Sequence, residues 1–132
     1  MAAENQGAEK GLLRILAAVN DLFFVGKITA AARRTGVPVE FVRGESEVIR
    51  KTADSPAMLL LDLNDARLHP ISLIAKLKAD PIRKEVRVIG YLSHVQEELK
   101  READQAGCDL VLPKSVFSQQ LDDLLRQRSC HL

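Results

Sequence analysis

The stretch "MLLLDLND", Met58–Asp65, runs four apolar side chains into a carboxylate, Asp62, with a second carboxylate, Asp65, three positions further on. An uninterrupted apolar run of this length reads as a strand covered on both faces, because a half-exposed strand would alternate with polar residues. A strand covered twice needs helices above and below it. Asp62 then has two readings. It is either a strand-end acid meeting water or a working group at the mouth of a site.

Working outward, "LLRILAAV" (12–19) is a second buried strand, bounded by Asn20-Asp21. "DLFFVGKITAAARRTG" predicts a helix capped by Asp21 and closed by Gly36, with Phe24, Ile28 and Ala31 on its inner stripe. "VPVEFVRG" (37–44) alternates and is rich in β-branched residues, which predicts a strand. "ESEVIRKTAD" predicts a short helix with Val48 and Ile49 inward, and "ISLIAKLKAD" another, with Pro70 in its first turn. "VRVIGYL" (86–92) and "CDLVLP" are further strands. Between them "SHVQEELKREADQAG" predicts a helix with Val95, Leu99 and Ala103 inward, a Ser93-x-x-Gln96 capping box and Gly107 at its end. "SVFSQQLDDLLRQR" is the last helix, with Phe117, Leu121 and Leu124 facing in. Five strands alternate with five helices, which predicts right-handed βαβ units and one parallel α/β sheet in a doubly wound (βα)5 arrangement. The expected division is a flexible arm at 1–11, one domain at 12–127 and a tail at 128–132.

Composition narrows the function. The 132 residues suit one domain, and a formal net charge of +1 removes the electrostatic argument for nucleic acid or a membrane surface. No signal-peptide pattern and no membrane-length apolar run is visible, so the expected setting is the reducing cytoplasm. Cys108 and Cys130 do not make a disulfide framework. Cys108 reads as a small core thiol, and Cys130 beside His131 as incidental. No Gly-rich phosphate loop follows the first strand, which counts against a nucleotide binder.

In an open parallel sheet, ligands bind outside the carboxyl ends of the strands. The polar groups leaving those ends are Asn20-Asp21, Asp62 with Asn64 and Asp65, Ser93-His94 and Lys114. Carboxylates and a carbonyl suit a hard divalent cation, and a lysine with a hydroxyl suits a phosphoryl group. His94, as a lone loop histidine, reads as a solvated residue.

The set "LLLDLND", "GYLSHV" and "AGCDLVLPKS", in that order over residues 12–127, resembles the receiver domain of bacterial two-component response regulators. The resemblance implies a flavodoxin-like sheet of strand order 2-1-3-4-5 and a signalling module rather than an enzyme. It implies that Asp62 accepts a phosphoryl group from a histidine kinase or phosphotransfer protein, aided by Lys114 and Ser93. It also implies Mg²⁺ held by Asp62, by an acid after the first strand, and by the carbonyl of Asn64. A separate protein partner would read the signal, because no output domain is attached.

The chain departs from the family at four places. The two adjacent acids expected after the first strand fall on Val19-Asn20 in the ungapped register, or on Asn20-Asp21 after a shift of one. Only the second register supplies a metal-binding acid, Asp21, so Mg²⁺ affinity should be weak. Val111 stands where the family carries an aromatic switch, Ser115 where it carries proline, and His69-Pro70 where many members carry an acid and a glycine. A trans bond is expected before Ser115. These changes keep a second reading open: a pseudo-receiver without phosphorylation or metal, used as an adaptor or dimerisation module. Adjacent Phe23 and Phe24 cannot both face inward fully; partial burial of the outer ring under a neighbouring loop is the commoner outcome, and an exposed outer ring is a candidate partner or homodimer contact.

Overall fold

The computed structural model describes residues 13–53, 57–94 and 96–129. The expected arm at 1–11, together with Val95, Cys130 and His131, lies outside them. The five apolar runs form the strands β1 (Arg14–Ala18), β2 (Val39–Val42), β3 (Ala57–Asp62), β4 (Arg87–Leu92) and β5 (Leu110–Pro113). They pair in parallel in the order β2-β1-β3-β4-β5. The helices between and after them are α1 (Leu22–Thr35), α2 (Glu45–Lys51), α3 (Pro70–Ala79), α4 (Glu97–Ala106) and α5 (Lys114–Arg126), with a 3-10 turn at Ala66–Leu68.

Strand parity sorts the core into two layers, because successive side chains leave a strand on opposite faces. Leu16 and Ala18 of β1, Leu59 and Leu61 of β3 and Val88 of β4 pack with Val48, Leu73, Ile74, Leu77 and Ala103 from α2, α3 and α4. Ile15 and Ala17, Met58 and Leu60, and Ile89 and Tyr91 pack on the other side with Phe24, Ile28, Ala31, Phe117, Leu121 and Leu124 from α1 and α5. Every residue of β3 is buried, as a central strand covered twice must be. Cys108 is buried too, and its thiol pKa is raised, first by that burial.

Local signals set the helix ends. The Asp21 side chain accepts from the backbone N–H of Phe23 and opens α1, and Gly36 closes it in the left-handed region at φ +70°. The inner residues of α1 are the predicted Phe24, Ile28 and Ala31. Two starts differ from expectation. The helix expected to begin at Ser93 begins at Glu97, and Lys114, expected just before a helix, is the first residue of α5 after Pro113 in its cap position. His69 takes the left-handed conformation at φ +48° before Pro70 starts α3. The bond between Lys114 and Ser115 is trans.

Candidate functional site

Asp62 ends β3 two residues after Leu60, so parity aims it at the α1–α5 side of the sheet. It is only 6% exposed. Its Oδ1 accepts from the backbone N–H of Asn64 at 2.9 Å, which closes a tight turn after the strand. Burial raises its pKa above the ordinary carboxylate range. The Asn64 hydrogen bond and the charge of Lys114 work against that rise, and the charges of Asp65 and Asp21 add to it.

The segment "VND" after β1 divides into three roles. Val19 continues the apolar alternation of β1 and is buried. Asn20 turns inward, and its amide donates to Asp65 Oδ2 at 3.0 Å and to the carbonyl of Arg43 at 3.5 Å. Asp21 is exposed and caps α1. Asp65 is held below the usual carboxylate range, mainly by hydrogen bonding to Arg67 and also by the Asn20 amide.

Lys114 enters from the start of α5. Its Nζ lies 5.9 Å from the centroid of the Phe24 ring, a cation–π distance, and makes no ion pair with Asp62. It lines an open cleft between α1 and α5 with Asp21, Phe24, Lys27, Ser115 and Ser118.

Ser93 leaves β4 on the same face as Asp62, but its hydroxyl lies 3.1 Å from Asn64 Oδ1 and donates to it. The Ser93 backbone N–H is shared between Asn64 Oδ1 and Gln96 Oε1, each at 2.8 Å, and Asn64 Nδ2 donates to Gln96 Oε1 at 2.7 Å. Half of the predicted capping box therefore forms, the half made by the glutamine. The serine half is lost to Asn64, and α4 begins only at Glu97.

Among the described residues, no three acid, histidine or cysteine side chains gather closely enough to cage a metal ion. Mg²⁺ needs less, since one or two carboxylates suffice when waters complete its shell. The charges of Asp21 and Asp65 raise the Asp62 pKa, and these three carboxylates are the oxygen ligands a hydrated cation would draw on here. A hydrated divalent cation would relieve the repulsion among these carboxylates.

One buried group at the site was not anticipated from the sequence. Tyr91 is the residue of β4 paired with Asp62, and it lies on the same face of the sheet. Its ring stacks on Phe24 at 4.7 Å and on Phe117 at 4.5 Å between centroids. The signal that could have found it is a lone tyrosine in an otherwise aliphatic strand. Of the two adjacent phenylalanines, Phe24 is core and Phe23 is 65% exposed, beside Leu22 at 84%.

No family model and no curated protein matches the sequence. Solved structures match the fold. A response regulator from Hahella chejuensis superposes with a TM-score of 0.77 at 13% identity, covering 88% of this chain and 94% of that one. The phosphorylated cyanobacterial phytochrome response regulator gives 0.71 at 22% identity, over 87% and 89%. The receiver domain of a sensor histidine kinase from Pseudomonas aeruginosa gives 0.74 at 19% identity, over 89% and 98%, and has a magnesium ion coordinated in its active-site cleft. The chain has the flavodoxin-like receiver fold, with the strand order expected for it. No described helix is long and apolar enough to cross a membrane.

Proposed function

We propose that the chain is a receiver-like signalling module that accepts a phosphoryl group on Asp62 and passes the signal on by protein–protein contact. The observation that carries this reading is a carboxylate desolvated at the carboxyl end of the central strand, with Lys114 acting on it electrostatically. A buried acid at that position is costly unless the site uses it.

The donor is a phosphohistidine on a kinase or phosphotransfer protein. With Oδ1 held by the Asn64 N–H, Oδ2 attacks the phosphorus in line, the phosphorus–nitrogen bond breaks, and its electron pair returns to the imidazole. Lys114 swings off the Phe24 ring to pair with the phosphoryl oxygens. Ser93 leaves Asn64 Oδ1 to donate a second hydrogen bond to them. Mg²⁺ bound by Asp62, the Asn64 carbonyl and Asp21 or Asp65 would neutralise charge on those oxygens.

The test is incubation with acetyl phosphate and Mg²⁺, read by intact mass. Wild type should gain one phosphoryl group and Asp62→Asn none. A variant that still labels refutes the assignment of Asp62.

A second reading is favoured by the same two side chains. The Ser93 hydroxyl is already bonded to Asn64, and Lys114 is unpaired with Asp62, an arrangement that suits a phosphorylation-independent adaptor or dimerisation module. The exposed Leu22–Phe23 pair would then be a contact surface. On this reading wild type does not label, and Asp62→Asn binds a captured partner as tightly as wild type.

A further inference from the structure

The Tyr91 side chain is fully buried, and its hydroxyl has no hydrogen-bond partner. Such an orphan is uncommon and costs the folded state the solvation of a polar group. Two observations place Asp62 beside it. Tyr91 and Asp62 are Cα partners across β3 and β4. Both side chains lie on the α1–α5 face. The Asp62 carboxylate is also the charge that acts most strongly on the phenol. No hydrogen bond closes between the two side chains in the structure. The ring has little freedom to turn elsewhere, because Phe24 and Phe117 stack on it.

We propose that the Tyr91 hydroxyl, without a partner in this structure, closes a hydrogen bond to the Asp62 carboxylate and shortens the lifetime of the phosphoryl group carried there. The lifetime effect rests on the phosphoacceptor reading of Asp62; the hydrogen bond does not. In hydrolysis, water attacks the phosphorus and the bond from phosphorus to the Asp62 oxygen breaks. The bonding pair returns to the carboxylate, and inorganic phosphate leaves with the protons of the water shared between it and solvent. Charge grows on the Asp62 carboxyl as the bond breaks. A donor aimed at that group binds the leaving carboxylate more strongly than the neutral acyl group. The difference between a charge-assisted and a neutral hydrogen bond corresponds to about a five-fold change in rate.

The chain holds one tyrosine and no tryptophan, so its near-ultraviolet spectrum reports Tyr91 alone among strong absorbers. Two measurements decide the proposal. In unphosphorylated protein at fixed pH, Asp62→Asn should move the tyrosine band to shorter wavelength, because a phenol donating to a carboxylate absorbs further to the red than one facing an amide. An unmoved band overturns the hydrogen bond. After labelling with acetyl phosphate and Mg²⁺, Tyr91→Phe should hold its phosphoryl group about five times longer than wild type. Decay at the wild-type rate, with both proteins folded by circular dichroism, overturns the role in lifetime. If neither protein labels, the phosphoacceptor reading falls and the lifetime role with it, and the band shift alone decides the hydrogen bond.

Discussion

Replacing Asp62 by asparagine keeps the shape of the side chain and an acceptor for the Asn64 N–H but removes the charge. That charge sits on a residue 6% exposed and receives one good hydrogen bond, at 2.9 Å. Desolvating a carboxylate costs several kcal/mol after relaxation, roughly twice what one hydrogen bond to a charged acceptor returns, about 1.5–3 kcal/mol. Lys114 acts only from beyond ion-pair range, and Asp65 and Asp21 oppose it. A net penalty of about 1–2 kcal/mol therefore remains in wild type, at the lower figure where Tyr91 also donates, and Asp62→Asn should recover it at neutral pH. The pH dependence has a definite sign. The folded pKa of Asp62 is raised, so its stabilising share is present below the unfolded carboxylate pKa and is lost as pH rises through the folded value. The advantage of Asp62→Asn should thus be small in acid and grow towards neutrality. Urea unfolding followed by far-ultraviolet circular dichroism, at acid and neutral pH without divalent cations, measures it. The matching rise in Tm at neutral pH is about 3–10 °C. An equal or lower stability of the variant at neutral pH refutes the reasoning, as does an advantage that does not change with pH.

Three further outcomes are expected. Phe117→Leu should cost about 2 kcal/mol in urea unfolding, because its buried ring stacks on Tyr91 at 4.5 Å and lies 6.1 Å from Phe24, and leucine fills the space incompletely. His69→Gly should be neutral or stabilising by up to about 1 kcal/mol, since the left-handed φ of +48° strains a residue with a Cβ and glycine relieves this at some entropic cost; a clear loss of stability would show that the imidazole itself is needed. Gly90→Ala should destabilise by about 1–3 kcal/mol, because the new Cβ would lie 2.8 Å from Leu63 Cδ1 in the packed core. Leu63 follows Asp62 directly, so labelling by acetyl phosphate should slow in the same variant.

Where a signal is local, the sequence carried it. Asp21, Gly36 and the stripe of Phe24, Ile28 and Ala31 describe α1 within one segment, and all five have the structural places expected of them. The uniform burial of β3 was legible in "AMLLLD" for the same reason. The start of α4 was not. Ser93 and Gln96 have capping-box spacing, but Asn64, some thirty residues earlier, takes the serine hydroxyl, and spacing within one helix does not record a competitor from the turn after another strand. The two registers of "VND" stayed open in the sequence because either asparagine or aspartate can ligate, cap or turn inward. In the structure Val19 completes the strand face, Asn20 bonds Asp65, and Asp21 caps α1.

By itself, the sequence determined the order of the elements, the two-sided burial of the sheet and the emergence of Asp62 at the end of its central strand. Each follows from the period of a strand or a helix, which is a property of short chain segments. Only the tertiary structure decided which groups meet Asp62. Strand pairing sets Tyr91 beside it, the start of α5 leaves Lys114 over an aromatic ring, and a bond across the loop turns Ser93 to Asn64. These depend on register between strands and on competition among polar groups far apart in the chain, which no local pattern encodes.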